Sequence, residues 1–333
     1  MDLIQFANRK IVNKLNKLGN RLHELKTLIG WRRFDPIIEK MRKNKTEKGG
    51  RPNKDNILML KILVLQKWFS LSDEQVEFMV LDRASFQDFL GISYNDVPDF
   101  STVWRFREEL KNRGLEKEIW AELQQQINEL GFIVKKGHIQ DASFIEAQLG
   151  KKRYSKEKKA RKQGRKIEYT EKQRAHIDKD GTFAIKNNQI HFGYKDHTKT
   201  DVDYNFVRDF ETTPASIHDN NIDLSKPDDI AMYRDKGYSG KRLKHGSVID
   251  KTMIRRDDKK MEWVKATNKA IAKIRVMGER QFSVIKYVFK GGYTYVKTLQ
   301  RVRISQLFAY FAYNLYNLFT YRKRFQLSVS YVL

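Results

Sequence analysis

AMYRDKGYSGKRLK, residues 231–244, puts an acidic side chain in a telling place: Asp235 closes a short apolar run and is followed at once by lysine and glycine. Ile230, Ala231, Met232 and Tyr233 read as a buried strand, and the residues from Lys236 to Gly240 carry the glycine punctuation of a turn. Asp235 then stands at the carboxyl end of a strand. Open α/β sheets gather ligands at that edge, because side chains emerging there share one crevice. A single aspartate so placed is commonly just a solvated loop residue, so the reading needs partners.

On either side of this stretch, GHIQDASFIEAQ (137–148), QIHFGYKDHTKTD (189–201) and YNFVRDFETTPAS (204–216) have the β-branched and aromatic runs of strands, and DDIAMYRD (228–235) adds a fourth. A helical stretch over roughly 265–290 and a C-terminal helix follow, which together describe a mixed sheet with helices packed on it. Before Gly131 the chain reads as almost entirely helical. DNILMLKILVLQKWF (55–69) is an apolar-rich helix, Ser72 and Gln75 form a possible capping box, and Gly114 and Gly131 close later helices. The expected division is an all-helical domain over 1–131 and an α/β domain over 132–333.

Composition limits the partner. The chain has 333 residues, and 66 Lys+Arg against 41 Asp+Glu give a formal charge of +25. Such a surface attracts polyanions, so nucleic acid or an anionic membrane heads the list. The best membrane candidate, ISQLFAYFAYNLYNLFTY (304–321), is short and holds Gln306, Asn314 and Asn317, so a buried helix is expected instead. No signal peptide is expected either, since Asp2, Asn8, Arg9 and Lys10 occupy the place of its apolar core. The absence of cysteine removes disulfides, thiol nucleophiles and cysteine-bound zinc, and an intracellular protein is expected. The seven histidines show no metal-ligand spacing, and His191 and His197 read as structural. Any metal must therefore be held by carboxylates.

Asp141, in the first predicted strand, gives Asp235 a companion. Two aspartates sharing one pocket repel each other unless a cation neutralises them, and hard divalent cations prefer oxygen donors. A third carboxylate comes from IAKIRVMGERQFSVIKYVFK (271–290). At about 100° per residue, Glu279, Arg275, Lys286 and Lys290 share one face, opposite Ile274, Met277, Val284, Ile285 and Val288. The helix is expected to pack on its aliphatic side and present one carboxylate among cations. Between the first two strands, KKRYSKEKKARKQGRKIEYTEKQR (151–174) holds twelve Lys or Arg and three Glu. It reads as a cationic loop that could hold phosphates through Lys151, Lys152, Arg153, Lys158, Lys159, Arg161 and Lys162, or as a merely solvated one.

The order Asp141 in GHIQDASF, Asp235 in YRDKGYSG and Glu279 in RxxxExxxxxxK resembles the catalytic core of DDE transposases, in particular the bacterial insertion-sequence group named for insertion sequence five, within the broader insertion-sequence-four-like group. GGRPNKDNILMLKILVLQKWFSLSDEQVEFMVLDRASFQDFLG and VPDFSTVWRFREEL resemble that group's N-terminal domain. The resemblance implies an RNase H-like fold in which Asp141, Asp235 and Glu279 bind two Mg²⁺ ions, with Mn²⁺ as a possible substitute. It implies cleavage and strand transfer of DNA at terminal inverted repeats, no small-molecule substrate, no membrane, and a cytoplasmic, nucleoid-associated place in a bacterium. Arg275 and Lys286 would contact phosphates near the transposon end. Ala272 stands where many relatives of the broader group carry tyrosine, which touches one DNA contact and none of the metal ligands. Only 43 residues lie between Asp235 and Glu279, so the β insertion that some relatives carry there is absent.

The alternative readings are a transposase-derived DNA-binding protein that no longer cuts and, more weakly, a structured-RNA-binding protein or ribonuclease. Around STVWRFREELK (101–111), Val103, Phe106 and Leu110 form a core stripe, with Trp104, Glu108 and Lys111 opposite and Arg105 and Arg107 on the flanks. End recognition is expected there. Ile4, Ile11, Leu15, Leu18, Leu22, Leu25 and Ile29, with Asn8 at the remaining position, follow heptad spacing. They read either as a homodimer seam over residues 3–29 or as a stripe packed on the chain's own helices.

Overall fold

A computed structural model describes residues 3–42, 53–148, 151–171, 176–255 and 261–325, with the side chains of 3–9, 151–154 and 325 outside that description. Two compact units form, Met1–Ile133 with Leu307–Leu333, and Val134–Gln306. The break near residue 133 falls where helical patterning gives way to strand patterning. The last helix departs from expectation: its first turns belong to the second unit and the remainder to the first.

The first unit contains helices α1 (Leu3–Lys17), α2 (Arg21–Leu25), α3 (Asp35–Glu39), α4 (Asn56–Trp68), α5 (Asp73–Asp82), α6 (Ala84–Leu90), α7 (Phe100–Arg113) and α8 (Glu116–Glu129). Its local signals are those of the sequence. The capping box closes α5, with Gln75 N donating to Ser72 Oγ at 3.1 Å and Ser72 N to Gln75 Oε1 at 2.9 Å. Gly114 ends α7 in the left-handed conformation, at φ +64°. Helix α4 is buried on nearly every side, as a helix this rich in apolar residues must be. At the core, the Trp31 ring stacks on Phe311 at 6.1 Å and meets Phe89 edge-on at 5.7 Å.

The heptad seam is interrupted. Helix α1 stops at Lys17, Gly19 takes φ +88°, and Asn20 starts α2 by accepting from Leu22 N at 3.2 Å. Leu22, Leu25 and Ile29 are then buried in the unit's own core, whereas Leu18 is 76% exposed. A residue held at positive φ ends a helix outright, which a propensity cost alone understates. The side chains of Ile4 and Asn8 lie outside the described residues.

The second unit holds a seven-stranded mixed sheet: β1 (His138–Ala147), β2 (Thr182–Lys186), β3 (Gln189–Asp201), β4 (Val207–Pro214), β5 (Ala231–Arg234), β6 (Ile249–Thr252) and β7 (Tyr293–Thr294). Strands β4 and β1 each run antiparallel to β3, and β5 and β6 continue beside β1 in parallel. β2, β6 and β7 were not expected from the sequence. Helix α9 (Lys151–Lys162) replaces the expected loop. Lys, Arg, Glu and Ala favour a helix even without an apolar face to reveal it by periodicity.

Helix α10 (Met261–Tyr287) lies on β1 and β5, and α11 (Leu299–Phe325) begins against Ile145 and Tyr194 through Val302 and Leu299. Here the face of α10 differs from the expected one. Ile271, Gly278, Gln281 and Ile285 are buried, while Met277 and Val288 are exposed. Gly278 explains the rotation: a Cβ there would come within 3.0 Å of Ile139 Cγ2, so the absent side chain lets the helix approach β1 closely. Gln281 adds a hydrogen bond from Nε2 to Thr198 Oγ1 at 2.6 Å. No helix of the described residues is long and apolar enough to cross a membrane.

Candidate active site

Strand register brings the two aspartates together. β1 and β5 pair in parallel with His138 opposite Met232 and Ile139 opposite Tyr233. Two residues further along each strand, Asp141 and Asp235 come level at the carboxyl end of β5. Asp235 begins a tight turn there, its Oδ1 accepting from Gly237 N at 2.8 Å. A Cβ at Gly237 would sit 2.9 Å from that same oxygen, so the glycine of YRDKGYSG keeps the carboxylate uncrowded.

Asp141 is held by two donors. Ala142 N reaches its Oδ1 at 2.9 Å, and Arg275 Nη2 on α10 reaches its Oδ2 at 2.7 Å. Its pKa is nevertheless raised. Burial is the largest cause, with Arg275 and the Ala142 amide opposing it and the charge of Asp235 adding to it. Burial thus works against the charge of Asp141, and Arg275 is the cation that answers it. The Arg275 Nε is buried without a hydrogen-bond partner among the described residues.

Glu279 is not gathered with the pair. It lies one turn beyond Arg275 on α10 and is exposed. No group of three His, Cys, Asp or Glu side chains that could hold a metal ion occurs among the described residues. Lys286, on the same flank of the helix, is half-buried; burial lowers its pKa, and Glu146 partly restores it. Lys290 follows the helix end at φ +51° and is exposed.

Sequence reasoning passed over Tyr238 and Lys186. The Tyr238 ring is fully buried with the Arg234 guanidinium 5.6 Å from its centroid. Burial first, then the charges of Asp219, Asp141 and Asp235, push its hydroxyl well above its ordinary pKa. Lys186, at the end of β2, is close enough for its charge to act on Asp141. The aromatic residue one turn after Asp235 was a visible signal for the first; nothing local announced the second.

In the first unit, Val103, Phe106 and Leu110 form the expected core stripe of α7, and Trp104 is 46% exposed. Arg105 is exposed and bonded to Ser101 Oγ at 2.7 Å. Arg107 is engaged within the unit, its two terminal nitrogens donating to Asp73 at 2.8 and 2.6 Å. Lys111 pairs with Glu108 at 2.7 Å. Along α9, Lys158, Lys159, Arg161 and Lys162 are exposed, and the side chains of Lys151, Lys152 and Arg153 lie outside the described residues.

Helical caps, α4 and the α5–α7 pair all fall within one matched region. Residues 10–109 match the family model of a transposase domain (DUF772). This match supports a transposase family, and a transposase domain points to a DNA-cutting enzyme with DNA as its partner. The carboxylates of the second unit lie outside the matched stretch. No solved structure matches the chain.

Proposed function

We propose that the chain is a DDE transposase of the group named for insertion sequence five, with its second unit as an RNase H-like catalytic domain. The placement of Asp141 level with Asp235 on neighbouring parallel strands carries this reading. The strand order β4, β3, β1, β5, β6, with its first three members antiparallel and the last two parallel to β1, supports it.

The donor types are those that hard divalent cations prefer, and Glu279 would have to join the two aspartates to complete the set. Asp141 and Asp235 offer oxygen ligands, and Glu279 is carried by the helix that already delivers a cation to Asp141. These three carboxylates would hold Mg²⁺ or Mn²⁺. When bound, such ions stabilise charge at phosphorus during in-line displacement by water or a 3′-hydroxyl. The chain's own contribution is placement: the Gly237 turn fixes Asp235, the Ala142 amide orients Asp141, and close packing at Gly278 sets the height of α10 over both. Arg275, Lys286 and Lys290 would meet DNA phosphates, as would Arg105 in the first unit. The DNA is double-stranded, comprising the element's ends and its target. Two ends must be brought together, so a homodimer in the cytoplasm at the nucleoid completes the proposal.

The test is metal-dependent nicking of duplex DNA taken from both flanks of the coding sequence. Asp141→Ala, Asp235→Ala and Glu279→Ala should each abolish cleavage while DNA binding persists. Cleavage retained by any one variant removes that residue from the site. A wild-type chain that binds these ends and never cuts them with Mg²⁺ or Mn²⁺ would be a binding protein instead.

A further inference from the structure

The second unit carries another surface whose chemistry the site leaves unexplained. Strands β2 and β3 form a hairpin closed by Asn187 and Asn188 at φ +50° and +61°. Two residues at positive φ make the compact turn that matches strand twist, so the ribbon is narrow and stiff to its tip. Ile185 pairs with Ile190 just behind that tip, on one face, and they are 74% and 53% exposed. Phe183 and Phe192 continue this face inward, their rings 4.9 Å apart. Two large aliphatic side chains held out at the end of a rigid ribbon contribute nothing to the unit's own core.

Helix α9 lies beside them. Glu157, Lys158, Arg161 and Lys162 line one cleft of about 480 Å³ together with Phe183, Ile185 and Ile190. Lys156, Lys159, Arg165 and Lys166 add exposed positive charge along the helix and the segment after it, and Glu157 is turned aside to accept from the Tyr169 hydroxyl at 2.8 Å. An apolar edge flanked by a dense cationic surface fits duplex DNA. A lipid surface would need an apolar stripe on the helix, and KKRYSKEKKARK has none. A two-stranded ribbon fits into a groove, and apolar side chains pressed between base steps kink a duplex whose flanking phosphates are held by cations.

We infer that the hairpin of β2 and β3 is a wedge that enters a DNA groove and unstacks a base step with Ile185 and Ile190, while α9 grips the flanking phosphates. This rests on the reading of the chain as a DNA-processing transposase. The experiment uses duplexes from the flanks of the coding sequence with 2-aminopurine placed at each position in turn. Wild-type binding should raise fluorescence at one step. Ile185→Ser with Ile190→Ser should lose that rise and keep the parent's salt dependence; both sites are exposed, and a thermal melt checks the fold. Neutralising Lys156, Lys159 and Arg161 to Gln should instead flatten the plot of log affinity against log salt by roughly 0.9 for each phosphate set free. A rise that survives in the isoleucine variant, or wild-type binding without any rise, overturns the wedge. Unstacking by a chain that never nicks DNA supports the wedge while the catalytic reading falls, and failure to bind any duplex at low salt defeats both.

Discussion

At Asp141, two opposing effects meet on one carboxyl group. Burial and Asp235 disfavour its charge, and Arg275 at 2.7 Å favours it, with burial the larger. Arg275→Ala should therefore leave a buried carboxylate without its cation, at a cost of about 1–3 kcal/mol for a partly buried charged pair. Asp141→Asn combined with Arg275→Ala should recover part of that loss, and a double-mutant cycle from denaturant melts measures the coupling. Additive effects of the two changes would show that the pair is not coupled. His138 gives a second outcome of this kind. Its pKa is lowered from 6.5 to about 3, chiefly by burial and then by Lys199 and Arg208. Its Nδ1 lies 3.2 Å from Asp229, but that carboxylate is already bound by Lys199 at 3.0 Å. Between those two values the unfolded chain binds a proton that the folded one refuses. Stability should then fall as pH drops from about 6.5 towards about 3. Comparing melts of wild type and His138→Gln across that range should show a slope smaller by about one proton in the variant.

Among the helices and strands, α10 depends on one missing side chain. Gly278→Val should force the helix away from Ile139, costing about 1–3 kcal/mol and shifting Arg275 from Asp141. The expected readout is a lower melting temperature, with DNA cleavage falling far more than DNA binding. Undiminished cleavage would mean that the height of α10 is unimportant. The same helix shows where sequence patterns stop being informative. Apolar periodicity placed Ile274, Met277, Val284, Ile285 and Val288 inward, yet Gly278 and Gln281 take the central places because close approach and a hydrogen bond to Thr198 decide the contact. Strand β5, its turn and the cap of α5 were legible because their signals are local: an apolar run, a glycine after an aspartate, Ser72 three residues before Gln75. β2 lies outside the expected strands although Asn187 and Asn188 after it are a hairpin signal, because its five residues give too short a run to stand out by periodicity. Gly19 lies outside the seam positions, and its positive φ, which breaks the seam, is visible only in three dimensions.

Taken whole, the molecule is a strongly basic chain whose two units were unequally legible. The first was readable as helices from caps and composition, and its match to a transposase domain rests on residues 10–109. Within the second, the pairing of Asp141 with Asp235 could be anticipated from neighbouring strands and the outward face of Glu279 from helix periodicity, whereas the distance of that helix from the sheet could not, because a face does not specify it. The broken seam also changes what Leu22 does. Leu22→Glu should unfold the first unit at a cost of several kcal/mol rather than release an intact monomer. A cooperative, well-folded monomer of that variant, seen by light scattering and calorimetry, would restore the seam as an interface.

Helix α11 also gives the chain an order in time. Residues of the first unit emerge first from the ribosome, yet that unit takes in Leu307–Leu333, and Phe311 stacks on Trp31 at its centre. At roughly 5–20 residues per second, the early helices wait on the order of ten seconds or more for their last partner while the sheet is being made. A message cut short anywhere before that helix therefore yields no finished first unit, however complete its matched residues are. Only a chain that includes this helix can assemble the core around Trp31. Chains stalled after residue 306 should remain protease-sensitive across residues 1–133, and supplying 307–333 as a separate peptide should restore protection.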